Sequence, residues 1–466
     1  MMRADPPASP TDDAVATYPL FLALAGRRSR RFAKGATLDG GPLAYQSTSA
    51  PEPLTLYEEA ALAFAATGVT GHTLAELPYA PGSRPGSGCG NIIVHFVGRT
   101  IPSGDALHSV GLFVTNDEGT WMVRRPQDFA AGELPALTAA AREGRFVELY
   151  ERMRVRVSGG RTTVERKPPL VPPFNLWDAN VPGTTYFLPV TELTALCINV
   201  LLTAFSEELG YFILDDRAGY APAGIARFGR SRRGHLYDDP KDGRVLTIGY
   251  LETALATIAA AEEGAMHQNL ALMAEALGLG GFTHACRSVE WLRALGFEMQ
   301  GMPFSRAAGF SAITRGLMRL FHRPDPWIEM AIGRPDPGRD GHWLLRSFAP
   351  PHYPDMRSAV MAFVDYKFAS GTGTLTTAGG SAWRDGADVR GRIPRHSQAA
   401  IDAAVAYCEY VYGRYGRFPC TVAPFETILA YQAHHLDGGF YHRFYQPGAL
   451  GDRQWGHQHG HAAGGA

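Results

Sequence analysis

The hydrophobic and polar positions of this 466-residue chain follow two different periods. From Leu251 to Leu277, apolar residues recur every three or four positions, which is the period of a helix with one buried face. Val110–Thr115 and Thr120–Arg124 are apolar runs rich in β-branched residues on either side of a short polar turn, the pattern of a β-hairpin. The chain therefore mixes helices with antiparallel strands, and the predicted fold class is α+β.

The same patterns predict further elements along the chain. Helical periodicity also occurs in residues 18–25, 53–66, 288–295, 306–321, 355–369, 397–412 and 424–435. Apolar runs of strand length lie at residues 91–96, 211–214 and 327–332. We also predict a helix from Thr191, as its N-cap, to Gly210, and a second hairpin over 154–166. The stretch 78–90 is dense in Pro, Gly and Ser, which break regular structure.

The length of the chain bears on its organisation, because it exceeds what one hydrophobic core usually supports. We expect a main domain over 17–350 that carries a long insertion at about 120–250. A helical extension is predicted over 351–450. The ends, 1–16 and the His- and Gly-rich 451–466, are expected to be disordered tails.

Composition and charge narrow the class of partner. The composition, with 45% hydrophobic and 19% charged residues, is that of an ordered globular protein. Its 44 basic and 45 acidic residues nearly cancel, which argues against nucleic acid or an anionic membrane as a partner. We find no signal peptide and no apolar run of the ~20 residues that a membrane span needs. Five scattered cysteines argue against a disulfide framework, so a reducing cytoplasm is expected.

The segment Gly26–Phe32 concentrates basic side chains directly after a predicted helix. Arg27, Arg28 and Arg31 offer planar guanidinium donors and Ser29 a hydroxyl, a set that matches the oxygens of a phosphate group. A short basic run is also typical of a solvated face or a nucleic-acid patch. By itself this segment leaves both interpretations open.

A second segment forms a polar turn before the strand that starts at Val110. Pro102, Ser103 and Gly104 predict a tight turn whose backbone groups and hydroxyl could meet the polar edge of a flat heterocycle. The alternative is an ordinary loop that leads into a strand.

A third segment, 263–281, is a helix rich in small residues with a glycine exit. It contains Asn269 and ends in Gly280 and Gly281, where a backbone without side chains can approach a ligand closely. The alternative is a plain core helix.

In this order, the three segments resemble those of the flavin-dependent nitroreductase superfamily. In that family the first binds the FMN phosphate, the second contacts the flavin ring and the third ends beneath the cofactor. A later segment, Ile328–Pro335, looks like the family's terminal strand and turn, whose neighbouring cation also reaches the phosphate. The cofactor-binding residues that the resemblance implies are Arg27, Arg28, Ser29, Arg31, Pro102, Ser103, Gly104, Asn269, Gly280, Gly281 and Arg334.

The resemblance covers roughly 17–350, and it implies a fold and a chemistry. It implies an FMN-dependent, nitroreductase-like α+β fold with a central antiparallel-mixed sheet flanked by helices. It also implies a homodimer, because in that family the flavin lies at the subunit interface. NAD(P)H is the implied electron donor for FMN, and a small organic molecule the substrate.

The sequence departs from the family at two positions of the second segment. Members active on quinones or nitroaromatics carry Asn and Gln where this chain has Ala106 and His108. The variant is similar to the branch that dehydrogenates azoline rings in peptide natural products, although that branch's catalytic residues are not matched. Three functions stay open: a small-molecule oxidoreductase, a heterocycle dehydrogenase in peptide modification, and a non-catalytic flavin or metabolite binder.

No catalytic residue is assigned from the sequence, and no metal site is predicted. His108, His235 and Tyr237 are candidates because each could donate a proton to a reduced product. His434 and His435 are metal-capable, but adjacent residues on a helix point about 100° apart and rarely share an ion.

Overall fold

The computed structural model describes residues 15–77, 89–377 and 380–463. Its helices are α1 (Leu20–Gly26), α2 (Leu56–Thr67), α3 (Leu134–Arg142), α4 (Phe146–Met153), α5 (Thr194–Ala204), α6 (Ile248–Leu277), α7 (Ser288–Ala294), α8 (Phe304–Ala307), α9 (Ala312–Leu320), α10 (Met356–Phe368), α11 (Gly386–Gly391), α12 (Gln398–Tyr415), α13 (Gly438–Phe444) and α14 (Asp452–Ala463). The predicted tail at 1–16 and the predicted break at 78–90 lie almost entirely outside the described residues.

The strands fall into one main sheet and several smaller ones. They are β1 (Thr37–Leu38), β2 (Tyr45–Gln46), β3 (Val69–His72), β4 (Val97–Arg99), β5 (Val110–Asn116), β6 (Gly119–Val123), β7 (Arg154–Ser158), β8 (Thr185–Glu192), β9 (Phe212–Asp215), β10 (Ala221–Pro222), β11 (Val245–Thr247), β12 (Gly280–Ala285), β13 (Glu298–Pro303), β14 (Trp327–Pro335), β15 (Trp343–Arg346), β16 (Phe425–Glu426) and β17 (Leu429–His434).

The main sheet has the order β12-β17-β8-β5-β6-β7, and β16 pairs with one end of β8. Each of these pairings is antiparallel. Among the described residues, parallel pairing occurs between β9 and β11, in a separate three-stranded sheet. The α+β class predicted from the two periodicities is therefore confirmed.

Both faces of the main sheet are covered, and β5 shows how. Leu112 and Val114 point to one face, into a cluster formed with residues of α2, α4 and α6. Phe113 points to the other face, where it packs with residues of α7 and of the sheet β13-β14-β15. Strands buried on both faces lose the polar positions that usually reveal them in a sequence.

Helix α6 is the longest element, and its predicted course is confirmed. It spans 30 residues, about 45 Å, and Thr247 caps its start by accepting a hydrogen bond from the Tyr250 backbone N–H at 3.2 Å. Gly278 ends it in the left-handed conformation, with φ of +85°. Because α6 contacts α1, α2, α14 and β12, it fixes the relative positions of both chain ends.

The helix predicted over 424–435 is wrong, because this segment forms β16 and β17. β17 lies between β12 and β8 and is hydrogen-bonded along both edges. Tyr431 and Ala433 face one layer and Ala430 the other, so the strand is buried on both faces and its sequence shows no apolar–polar alternation to distinguish it from a buried helix. The part after residue 350, predicted as a helical extension, thus also supplies a central strand of the main sheet.

Two other predicted boundaries differ from the structure. Thr191 does not cap a helix, since it lies within β8, and α5 begins at Thr194, whose backbone N–H the Glu192 carboxylate accepts at 2.6 Å. The hairpin predicted over 154–166 is not formed, because this segment contains only β7, which pairs with β6 and not with the residues that follow it. The predicted insertion at about 120–250 therefore holds β7 and β8 of the main sheet.

The predicted disordered tail at 451–466 is wrong for 452–463, which form α14. Arg453 donates from Nε to the Ala276 carbonyl at 2.5 Å, which fastens α14 to the end of α6. The predicted strand at 91–96 is also not formed. Within the described residues, no helix combines the length and apolar character that crossing a membrane requires.

We predict that Gly278→Ala lowers the free energy of unfolding by about 1–3 kcal/mol, since a non-glycine residue is strained at this φ. Its Cβ would also lie 2.7 Å from both the Arg453 carbonyl oxygen and the His457 Cβ. The matched control is Gly264→Ala, within the same helix, where no atom lies within 4 Å of the added Cβ. It should stabilise the protein by up to about 1 kcal/mol in denaturant unfolding. Equal effects of the two substitutions would contradict this account.

Candidate functional site

The basic segment Gly26–Phe32 lies along the edge of the main sheet, beside the end of α6. The Arg30 backbone N–H donates to the Gly281 carbonyl at 3.3 Å, and Ala33 bridges to Leu436. Four consecutive residues, Arg28 to Arg31, line a cavity of about 440 Å³, which we name the arginine cavity. Its remaining wall consists of Phe32, Leu38, Leu43, Trp177, Phe440, Tyr441, Tyr445 and Ala449.

Two arginines of this segment are committed to buried carboxylates. Arg30 donates from Nη1 to Glu275 Oε2 at 2.7 Å, and both side chains are 5% exposed. Arg31 donates from Nε to Asp178 Oδ2 at 2.8 Å and stacks over the Phe282 ring. Burial raises the pKa of Asp178 to about 6, although Arg31 opposes the shift. These partners leave Arg27, Arg28 and Ser29 as the exposed polar side chains of the segment.

Gly280 and Gly281, which follow α6, are required by the packing of the neighbouring strand β17. A Cβ on Gly281 would meet the Tyr431 hydroxyl, and a Cβ on Gly280 would meet Leu436 and the His434 imidazole. The close approach predicted for a ligand at these two glycines is thus made by side chains of β17 and the residues after it. The physical demand for glycine was identified from the sequence, but the atoms that impose it were not.

The turn predicted at Pro102, Ser103 and Gly104 is formed, with Pro102 and Gly104 exposed. The Ser103 Oγ accepts from the His108 backbone N–H at 3.1 Å. Ala106 and His108 both have φ of +54°, a conformation that costs non-glycine residues about 1–3 kcal/mol. The structure holds this strained loop against a buried polar layer beneath it.

That layer comes from the middle of α6. Glu262 is ion-paired with Arg99 and accepts from the Ser109 hydroxyl at 3.1 Å. Glu263 accepts from the Thr191 hydroxyl, and burial raises its pKa to about 7. Asn269, one to two turns further on, donates to the Thr100 and Ala65 carbonyls at 3.0 and 3.1 Å. Its amide therefore serves packing in this chain.

Two cavities share one wall, and Leu107 and Ser109, which follow the Ser103 turn, line the smaller of them. The larger, about 380 Å³, is lined by His95, Phe96, Pro126 and Phe129 among others, and the smaller, about 220 Å³, by Ser109, Arg125, Asp128, Glu192 and Arg346 among others. Gln127 and Tyr366 line both. We name them the paired cavities. An apolar chamber beside a polar one suits a small organic molecule with one charged or polar end.

The wall of the paired cavities carries ionisable groups that sequence reasoning missed. The Tyr366 hydroxyl is hydrogen-bonded to His95 Nε2 at 2.7 Å. Burial lowers the pKa of His95 to about 3, helped by the charges of Arg125 and Lys367, and burial raises the pKa of Tyr366. At neutral pH the imidazole is therefore uncharged and the phenol protonated.

Behind this wall lies Lys367, which is fully buried. Its Nζ donates to Asn199 Oδ1 at 2.8 Å, and burial lowers its pKa to about 7 despite nearby Asp105. The sequence does contain a signal for it, because Val360, Phe363 and Lys367 recur at helical spacing on the buried face of α10. A lysine on such a stripe is seldom buried without a specific reason.

The predicted catalytic candidates lie in different places. His108 is buried, its Nε2–H donates to the Val97 carbonyl at 2.7 Å, and burial holds its pKa well below the usual range; it is not among the residues that line the paired cavities. His235 is hydrogen-bonded to the Phe205 carbonyl at 2.9 Å, and Tyr237 packs against Arg230. These two belong to the region around β9–β11 and are not among the residues that line the paired cavities.

The predicted cation of the late segment, Arg334, is committed to the backbone. It donates to the carbonyls of Leu295, Pro335 and Val157 at 2.6, 2.5 and 3.1 Å. It is not among the residues that line the arginine cavity. Within one chain, the predicted cofactor residues thus lie in separate regions.

No protein-family model and no curated protein matches the sequence. Among solved structures, the chain is similar to a crystal structure of a "putative nitroreductase" from Ralstonia eutropha JMP134. The two are 13% identical, and the match covers 64% of this chain and 81% of that chain with a TM-score of 0.29. A likeness at this level carries no argument about activity or ligand, so function has to be argued from this chain's own residues.

We predict that Glu263→Gln stabilises the protein above pH 7 and has little effect near pH 4. The folded-state pKa is raised from 4.5 to about 7, so the folded state binds more protons in this window and wild-type stability falls as pH rises through it. The amide removes that loss, a gain on the order of 2 kcal/mol at pH 8. Urea unfolding from pH 4 to 9 measures it, with exposed Glu298→Gln as control. A pH-independent effect would contradict the assignment.

Proposed function

We propose that this protein is an FMN-dependent oxidoreductase that transfers hydride between the flavin and a small organic substrate. The observation that carries the proposal is the arginine cavity, where a basic segment with a hydroxyl adjoins a wall of aromatic rings. FMN has a dianionic phosphate at one end and a flat aromatic ring system at the other. The chemistry of this wall suits both ends.

The residues of the arginine cavity that fit the phosphate of FMN lie at the start of the basic segment. Arg28 and Ser29 line the cavity and are exposed, and Arg27 precedes them. Arg31, which the family resemblance also assigns to the phosphate, is paired with Asp178 instead. We therefore propose that Arg27, Arg28 and Ser29 hold the phosphate, whereas Arg31 positions the segment.

We propose that two copies of the chain complete the site. Leu107 and Ser109, which follow the Ser103 turn, line the smaller of the paired cavities, whereas Arg30 of the arginine cavity is paired with Glu275 near the far end of α6. Helix α1, directly before the basic segment, exposes Phe21, Leu20 and Leu24 by 76%, 65% and 51%. A contiguous exposed apolar face of this kind marks a protein interface. A second copy docked there could bring its Ser103 turn to the arginine cavity.

When bound, FMN would supply the hydride chemistry, with NAD(P)H as the proposed electron donor. The chain's contribution is a proton held at a defined atom. Tyr366 keeps its phenolic proton at neutral pH, and its side chain lines both of the paired cavities. Neutral His95 at 2.7 Å fixes the direction of that hydroxyl. We propose that Tyr366 donates this proton to the reduced substrate.

A second candidate function, flavin or metabolite binding without turnover, is favoured by one observation. Ala106 is buried in an apolar cluster at a position where active family members carry an amide side chain. If that amide is needed for turnover, the chain retains only binding. The two candidates differ in whether a donor bleaches the bound flavin.

We predict a flavin spectrum for the purified protein, with FMN released on denaturation at about one per chain. The double variant Arg28→Ala/Ser29→Ala should lower FMN affinity at least about 100-fold, because it removes a charge-assisted phosphate contact. Exposed Arg232→Ala, far from the cavity in sequence, is the matched control. A colourless protein that takes up no added FMN would overturn the proposal, and unchanged affinity in the double variant would overturn the phosphate site.

We predict that Tyr366→Phe lowers turnover about 100-fold while FMN content is unchanged, since it deletes only the proton donor. Stopped-flow absorbance would follow flavin reduction by NADH and NADPH, and then reoxidation by a nitroarene or a quinone. The loss should fall on the second half-reaction. Tyr353→Phe, a partly buried phenol outside the paired cavities, is the control. Equal losses in both variants would show that Tyr366 acts only in packing.

A further inference from the structure

The C-terminal helix brings together three metal-capable side chains from distant parts of the chain. Glu58 lies in the first turn of α2, His435 directly follows β17, and His457 lies on α14. Each offers a ligand atom within 4.8 Å of the others, and their side chains are 4%, 3% and 7% exposed. Two imidazoles and a carboxylate in the interior form a ligand set typical of zinc-class divalent ions.

The ligand atoms of the cluster lie within reach of one another. His457 Nε2 lies 3.2 Å from Glu58 Oε1 and 3.2 Å from His435 Nδ1, and His435 Nε2 lies 3.4 Å from Glu58 Oε2. Ligands bound at about 2.0–2.1 Å to one tetrahedral ion are separated by about 3.3–3.4 Å. His457 Nε2 and Glu58 Oε1 stand near this separation, and a small rotation of the His435 ring or of the Glu58 carboxylate would bring a single His435 nitrogen to the same ion.

The surroundings of the cluster hold its ligands in place. Glu58 Oε2 accepts from the Thr55 backbone N–H at 2.7 Å and from its hydroxyl at 2.9 Å, which orients the carboxylate. The His435 carbonyl accepts from the Lys34 backbone N–H at 3.0 Å. Gly278 lets α14 approach the end of α6, where His457 packs. Backbone and second-sphere contacts of this kind favour metal binding over a loose charge pair.

We propose that Glu58, His435 and His457 form a binding site for one zinc-class divalent cation that fastens α14 to α2 and to the end of β17. Three protein ligands leave a fourth position for water. The site lies apart from both the arginine cavity and the paired cavities, since none of its residues lines them. It is independent of the proposed oxidoreductase function.

The test is the Zn²⁺ stoichiometry and affinity of the untagged full chain, measured by elemental analysis and by competition with a chromophoric chelator. Wild type should bind one ion, and His457→Gln and Glu58→Gln should bind it at least about 100-fold more weakly. Gln at 58 can still complete the capping box with Thr55, so the start of α2 is preserved. Exposed His459→Gln, on the same helix, is the matched control and should bind as wild type does.

Two further measurements separate this site from its alternatives. Zn²⁺ should raise the thermal unfolding temperature of wild type and of His459→Gln, but not that of Glu58→Gln. The metal-free variants should unfold within a few degrees of metal-free wild type, which shows that they fold. His461 lies four positions after His457 in the sequence, so His461→Gln tests whether the ion binds to these two histidines instead. No bound Zn²⁺, unchanged affinity in Glu58→Gln, or loss in His461→Gln equal to that in His457→Gln would each overturn the proposal.

Discussion

The insertion of β17 between β8 and β12 is the contact on which most of this structure depends. A central strand must satisfy its backbone groups along both edges, and here the partners come from residues 185–187 and 280–285. Gly280 and Gly281, which follow α6, have to be glycine because Tyr431 and His434 occupy the space that a side chain there would need. The basic N-terminal segment then attaches to Gly281 and to the residues after β17. Both chain ends thus depend on one strand.

Helix α6 connects the two candidate regions, because its buried carboxylates pair with arginines at each of them. Glu262 is paired with Arg99 and accepts from Ser109, which lie on either side of the Ser103 turn in the chain, and Glu275 holds Arg30 beside the arginine cavity. From 262 to 275 a helix rises about 20 Å, so the two regions have a fixed separation. A buried charge without its partner is strongly destabilising. These pairs therefore specify position more than they add stability.

This separation has a consequence for how the chain could act. In the proposed function, phosphate recognition is assigned to the arginine cavity and the proton donor, Tyr366, to the paired cavities. A flavin enzyme built from this chain needs both, and a second copy is the simplest source. The Glu58–His435–His457 cluster lies at the junction of the two chain ends, where α14 meets α6. A cation there would secure the same junction from which the basic segment is held.

Local physics controls several features that can be predicted from the residues alone: the α+β class, α6 with its glycine end, the β5–β6 hairpin and the tight turn at Ser103. The sequence also located the demand for glycine at Gly280 and Gly281. Periodicity could not distinguish β17 from a helix, because a strand buried on both faces shows no alternation. Three sets of contacts depend on how distant segments pack: Arg30 and Arg31 face carboxylates, Tyr366 contacts His95, and Glu58, His435 and His457 converge. Such contacts join residues far apart in the chain, and no local pattern records them.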